Sequence, residues 1–185
     1  GRLVAEVLPA LREKIPVRVI TNRLPDVEVS KPRLVIETRG DGERLTVGAS
    51  LVYGDPPTAK VLRGQLVVFG ERVPIRDERA ERRLTRDLSN QLGLSIGLDK
   101  QLVAETAVRF VDRLGAYRGK VTGTAWQRFR RVAAVQPEVV VDGMNMRVDM
   151  GGADPARVIQ AWQDGQSLIP VQDGWAPLPI GWLEQ

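Results

Sequence analysis

The chemistry open to this chain is narrowed by two residue types that it lacks. Its 185 residues contain no cysteine and no histidine. Thiol nucleophiles, imidazole acid–base catalysis, disulfide bonds and nearly all common zinc sites are therefore excluded. A hydrolase would have to work with paired carboxylates alone, and no pair of Asp or Glu residues stands in a context that favours this. We expect a chain without catalytic residues and without a cofactor.

One stretch is similar in composition to a phosphate-binding loop but differs from it in spacing. Such loops need a glycine, four intervening residues, Gly-Lys and then Ser or Thr, between a strand and a helix. The segment from Gly115 to Val121 has three intervening residues, a valine in place of the hydroxyl residue and a predicted helix in front of it. We therefore expect no nucleotide binding and no ATP hydrolysis by this chain.

Three carboxylates near the end of the chain, Asp142, Asp149 and Asp154, raise the question of a metal site. Calcium loops place oxygen ligands at alternate positions, but the alternate positions after Asp142 are methionines. Asp154 followed by Pro155 is typical of a helix N-cap and the first helical residue. Strand ends and a helix start explain these residues, so we predict no metal site.

Basic residues are concentrated in two places. The net charge is +4 and the isoelectric point is about 9.8. Arginine supplies most of the 27 basic side chains, and its planar fork suits phosphate, although a codon preference for arginine is the better explanation of the ratio. The first cluster lies on a predicted helix, where nearby acids nearly balance it and favour an ordinary solvated face. Its members are Arg76, Arg79, Arg82, Arg83 and Arg86.

The second basic cluster is interleaved with Tyr117, Trp126 and Phe129, and no acid lies between Arg113 and Glu138. Guanidinium groups neutralise phosphates, and exposed aromatic rings stack on bases. The alternative is that the aromatic rings pack in the core while the arginines extend outward. The residues that we predict to contact nucleic acid are Arg118, Lys120, Arg128, Arg130 and Arg131.

Alternation of hydrophobic residues predicts an antiparallel β-meander in the first half of the chain. The clearest hairpin joins strands at 34–38 and 45–53 through Gly40-Asp41-Gly42. A second pair is predicted at 66–69 and 72–75, around Gly70-Glu71. A short strand is expected at 17–20 and another at 121–122.

Helical spacing of hydrophobic residues predicts three helices in the same part of the chain. The first covers 3–15 and stops at Pro16. The second follows an N-cap at Asp77 and ends at Gly93. The third opens at Asp99 and ends at Gly115.

The last third of the chain, 137–185, reads as strand, strand, short helix, strand and a turn at Asp173-Gly174. It closely resembles the segment that precedes the motor domain in bacterial Swi/Snf-type helicase-like ATPases. The likeness extends upstream to Pro32-Arg33-Leu34, to Tyr53-Gly54 and to the run from Arg76 to Glu81, so that it covers 32–92 and 119–185. Each element has low specificity, and the case depends on their order and spacing.

The resemblance implies a non-catalytic accessory domain of an ATP-dependent DNA translocase. It would pack on the motor domain of the same polypeptide and contact double-stranded DNA through the second basic cluster. Trp175, Trp182 and Leu183 would belong to the motor interface, or to the core. The alternative is a structural module that binds protein only and touches no nucleic acid.

The predicted fold class is α+β, an antiparallel meander with packed helices followed by a small β-β-α-β unit. We expect one domain over 1–185, with a subdivision into 1–120 and 121–185 as the other option. The chain starts at Gly1, so we expect a fragment of a longer bacterial protein. With no signal peptide and no apolar run of spanning length, we expect a cytoplasmic protein without a membrane partner.

Overall fold

The computed structural model describes residues 3–19, 26–136, 138–143, 145–150 and 153–178. Helices and strands both contribute about a third of the chain, and the sheets are mainly antiparallel, which confirms the α+β prediction. The chain forms two compact units, each assembled from separate segments. The first unit contains Gly1–Thr38, Thr46–Lys100 and Tyr117–Thr122, and the second contains Arg39–Leu45, Gln101–Ala116 and Gly123–Gln185.

The first unit opens with a π-helical turn, Leu3–Val7, which continues into helix α1, Leu8–Arg12. Val4 and Ala5 are buried in a small cluster with Val73. The predicted N-terminal helix is thus present, although it ends before residue 15. The strand predicted at 17–20 is absent over 17–19, and Ile20 lies outside the described residues.

The main sheet has six strands, and most neighbours in it are antiparallel. The order is β5-β4-β3-β2-β8, and β7 also pairs with β3. Strand β8 runs parallel to β2, so the sheet is mixed. The apolar positions of β3 from Leu45 to Tyr53 are buried as the alternation predicted. The strand bounds in this half are β1 Val27–Glu28, β2 Pro32–Asp41, β3 Arg44–Tyr53, β4 Ala59–Leu62, β5 Gln65–Val68, β6 Val73–Pro74, β7 Asp99–Val103 and β8 Lys120–Thr122.

The hairpin predicted around Gly70-Glu71 is wrong. Strand β5 pairs instead with β4, through a two-residue turn at Arg63 and Gly64 in which both residues have positive φ. Such turns match the twist of paired strands, but arginine is an unusual residue for the first position, and this hid the turn in the sequence. Strand β6 pairs in parallel with β1.

Helix α2, Glu78–Leu92, is the predicted second helix. The carboxylate of Asp77 accepts a hydrogen bond from the backbone N–H of Ala80, and Gly93 ends the helix in the left-handed conformation. The buried residues Leu88 and Leu92 have 0% of their surface exposed.

Helix α3, Ala104–Gly115, begins five residues later than predicted, because Asp99–Val103 forms strand β7. The side chain of Thr106, not that of Asp99, supports the helix start: its hydroxyl accepts from the Val103 N–H at 3.0 Å and donates to the Val103 carbonyl at 2.6 Å. The predicted apolar face is correct, since Ala107, Phe110 and Leu114 are buried.

The second unit contains the predicted β-β-α-β arrangement and one further strand. Its core consists mainly of small and branched side chains around Ile169 and Ala176. A short 3-10 helix, Ala125–Phe129, precedes these elements. Their bounds are β9 Glu138–Asp142, β10 Asn145–Asp149, α4 Pro155–Gln163, β11 Leu168–Val171 and β12 Gly174–Pro177. Asp154 caps α4 as predicted.

Candidate nucleic-acid interface

The start of α2 is held by a buried charged network. Arg76 donates two hydrogen bonds to the Glu81 carboxylate, both at 2.9 Å, and a third to Glu6, also at 2.9 Å. The Tyr53 hydroxyl donates to Glu81 at 2.7 Å and accepts from the Asp77 backbone N–H at 2.9 Å. The expectation that Arg76 belongs to an exposed cluster is therefore wrong, since only 10% of its side chain is exposed.

The pKa values of this network favour one protonation state. The hydrogen bond to Glu81 raises the pKa of Arg76 further above its ordinary value, despite burial. Burial raises the pKa of Tyr53, and the hydrogen bond to Glu81 raises it further. Arg76 therefore stays charged and Tyr53 neutral, which preserves the hydrogen bonds that set the position of α2.

The α2 arginine face consists of Arg79, Arg82, Arg83 and Arg86. Their spacing of three, four and seven residues places them on one side of the helix, away from the buried Leu88 and Leu92. All four side chains are exposed and line a depression of about 420 Å³. The α2 arginine face is thus exposed to solvent along the first three turns of α2.

Of the four acids near this face, Glu81 and Asp77 contact other groups, while Glu78 and Asp87 are exposed beside it. Glu81 is buried against Arg76 and Tyr53, and the Asp77 carboxylate caps the helix. Glu78 contacts Arg82 at 3.4 Å. Within the described ranges, no ion pair involves Arg79, Arg83 or Arg86. Like charges three or four residues apart destabilise a helix by about a few tenths of a kcal/mol per pair, so the repulsion among these arginines does not favour folding.

The five basic residues predicted to bind nucleic acid are all exposed, but they are divided between the units. Arg118 and Lys120 lie in the first unit, where Lys120 begins β8. Arg128, Arg130 and Arg131 lie in the second unit, and Arg131 pairs with Asp112 at 3.4 Å. Their role in nucleic-acid binding stays a prediction.

The aromatic residues of the second basic cluster do not share one role. Phe129 is 1% exposed and its ring stacks on that of Trp175, with 6.3 Å between ring centroids. Phe129 therefore belongs to the core and cannot stack on a base. Tyr117 and Trp126 are half-buried.

The residues predicted at a motor interface have different positions. Trp175 is 4% exposed, so its ring lies in the core, which was the predicted alternative to the motor interface. Trp182 and Leu183 lie outside the described residues. Ile159 and Trp162 on α4 are exposed apolar residues of the second unit, with 50% and 49% of their surfaces accessible.

The described residues contain neither a metal-binding cluster of acids nor a membrane-spanning helix. In these ranges, no three acidic side chains lie close enough together to hold a metal ion. No helix among them has the length and apolar composition that crossing a membrane requires.

Comparison with known proteins leaves the family open. No protein-family model matches the chain, and neither the curated proteins nor the solved structures contain a significant match. The likeness to Swi/Snf-type ATPases therefore depends on the residues quoted above and stays a prediction.

Proposed function

We propose that this chain is a non-catalytic accessory module of a Swi/Snf-type ATP-driven DNA translocase, and that it holds duplex nucleic acid through the α2 arginine face. The observation that carries the binding part is the α2 arginine face, whose four arginines are exposed, whereas Glu81 of the same helix is buried and bonded to Arg76. The translocase part depends on the sequence resemblance.

The dimensions of the α2 arginine face suit a phosphate backbone. With a rise of 1.5 Å per residue, seven residues from Arg79 to Arg86 span about 10 Å. Duplex DNA carries one charge per roughly 1.7 Å of its axis, so several phosphates lie within this length. Contacts of this kind set position without reading sequence. Because α2 carries no aromatic residue, it lacks the stacking platform that single-strand binding uses, and duplex is the favoured partner.

The binding part is tested by fluorescence anisotropy with a labelled duplex over a salt series. Four phosphate contacts correspond to a slope of log affinity against log salt of about −3.6. The double variant Arg79→Glu/Arg83→Glu should make the slope shallower by about 2 and weaken binding at least about a hundredfold. The matched control is Arg12→Glu/Arg63→Glu, which changes net charge equally at two exposed positions of the same unit.

The control separates a local contact from general charge attraction. We expect it to keep the slope of the unaltered chain. Equal losses in both double variants, or no binding at low salt, would show that the α2 arginine face is only a solvated helix surface.

The translocase part is tested by reading the parent gene beyond the codon for Gln185. A phosphate-binding loop followed by an acidic Asp-Glu box would support an ATP-driven motor on the same polypeptide. An unrelated domain there would contradict the accessory role while leaving the duplex-binding result unaffected.

A protein-binding module without nucleic-acid contact is the second candidate. The exposed Ile159 and Trp162 on one side of α4 favour it, since apolar residues of this kind are enriched at interfaces. The double variant Arg79→Glu/Arg83→Glu distinguishes the candidates, because it should leave the activity of the parent protein intact if these arginines are only surface.

A further inference from the structure

The second unit contains a cavity of about 530 Å³ that the duplex contact proposed above does not involve. The tip of the β2–β3 hairpin, the short 3-10 helix, the start of α4 and the β11–β12 hairpin form its walls. This volume lies in the range of small-molecule sites. Its lining includes Glu43, Arg128, Asp154, Arg157, Gln172 and Trp175.

The cavity wall carries two acidic and two basic side chains, of which one acid and one base form an ion pair. Arg157 donates to the Glu43 carboxylate at 2.8 Å. The Asp154 carboxylate accepts from the Ala156 backbone N–H at 3.0 Å. In the part of the chain that the structure describes, Arg128 has no hydrogen bond or ion pair. Glu43 is paired with Arg157, and the Asp154 carboxylate lies at the positive end of α4. Arg128 is then the charged group of the wall that has no such partner, which points to an anionic ligand.

The backbone that carries Arg128 is held firmly. The Trp175 N–H donates to the Arg130 carbonyl at 2.9 Å, and the Val132 N–H donates to the Trp175 carbonyl at 2.9 Å. A Cβ at Gly174 would lie 2.3 Å from that Arg130 oxygen, so the glycine permits the close approach of the two segments. With Phe129 stacked on Trp175, the wall is preorganised rather than formed by the ligand.

We propose that this cavity binds a phosphate monoester, with the Arg128 guanidinium on its oxygens. Guanidinium and phosphate form strong, charge-assisted hydrogen bonds with matching geometry. Gln172 and Arg157 also line the cavity, and Arg157 is 60% exposed beside its Glu43 partner. Duplex phosphodiesters lie on a convex surface, so a concave site suits a free or terminal phosphate better.

Two sources supply such a group: a small phosphorylated molecule and the phosphorylated 5′ end of a nucleic acid. The probes are inorganic phosphate, adenosine monophosphate, and one oligonucleotide with either a 5′-phosphate or a 5′-hydroxyl end. Binding is measured by titration calorimetry on the whole chain. Preference for the phosphorylated oligonucleotide over its hydroxyl counterpart identifies a terminal phosphate, and binding of the mononucleotide without that preference identifies a small molecule.

The variants are Arg128→Gln and the control Arg130→Gln, which removes an equally exposed cation outside the cavity lining. We expect Arg128→Gln to weaken binding of phosphate and adenosine monophosphate at least about tenfold, and Arg130→Gln to change it less than about twofold. The proposal is overturned if neither inorganic phosphate nor adenosine monophosphate binds at about 10 mM, ten times a Kd of about 1 mM. It is also overturned if both variants lose affinity equally. This test is independent of the α2 arginine face.

Discussion

Removal of the Glu81 side chain should strongly destabilise the first unit. Glu81 is 6% exposed and accepts three hydrogen bonds, two from Arg76 and one from the Tyr53 hydroxyl. In Glu81→Ala the Arg76 guanidinium, also largely buried, keeps its hydrogen bond to Glu6 and a longer contact with the exposed Glu78. A buried cation without its main partner and a buried hydroxyl without its acceptor are both unfavourable.

The magnitude follows from the burial of the pair. Breaking a buried ion pair by removing one partner costs about 3–5 kcal/mol. For a chain of this length, 1 kcal/mol corresponds to about 2–4 °C in Tm, so we expect a decrease of about 6–20 °C. If the two units unfold in separate transitions, only the transition of the first unit should shift, since the whole network lies in it.

Glu78→Ala is the matched control for this measurement. Glu78 also faces Arg76, at 3.9 Å, but its side chain is 53% exposed, so its loss should change the free energy of unfolding by less than about 1 kcal/mol. Urea denaturation monitored by circular dichroism measures both variants. Equal effects of the two substitutions would refute the reasoning that burial makes the Glu81 contact strong.

Three further predictions concern the pH dependence and two local features. Burial raises the pKa of both Tyr53 and Tyr117, so the folded state keeps these protons to higher pH than the unfolded chain. The stability that these two protonated tyrosines contribute should be fully present below about pH 10 and should fall as the pH rises above it. Tyrosinate absorbance and denaturation at each pH measure this. Gly174→Ala should lower the free energy of unfolding by about 2 kcal/mol or more, because of the positive φ and the contact with the Arg130 carbonyl. Gly165→Ala should lower it by about 1 kcal/mol, because nothing lies within 4 Å of the added Cβ. Thermal unfolding compares the two variants. Asp77→Ala should cost about 1 kcal/mol through the lost N-cap, and helix content and Tm should both fall.

Local pattern was sufficient for much of the fold. The alternation from Leu45 to Tyr53 predicted which face of β3 is buried, because side chains of a strand alternate between its two faces. The Asp77 cap and Gly93 stop predicted α2 to within a residue, because these groups act on the adjacent backbone alone. The order of elements in the C-terminal unit was also correct.

Pairing between distant segments was beyond such patterns. Strand β5 pairs with β4 instead of the strand that follows it, through an Arg63-Gly64 turn that composition did not reveal. The five residues Asp99–Val103 looked like a helix start but form a strand, because pairing with β3 outweighs a weak local preference. A single sequence does not show which distant strand supplies the backbone partners.

The candidate sites also depend partly on local sequence and partly on contacts between distant segments. The sequence by itself determined that no cysteine or histidine chemistry is available, and that Arg79, Arg82, Arg83 and Arg86 share one side of a helix, since both follow from residue type and helical period. Only the tertiary structure decided that Arg76 and Glu81 are buried together, whereas that arginine row is exposed. It also placed Arg128 at a cavity and Trp175 in the core. Burial and ion pairing depend on contacts between segments far apart in sequence, such as Glu6 with Arg76, and no local period encodes them.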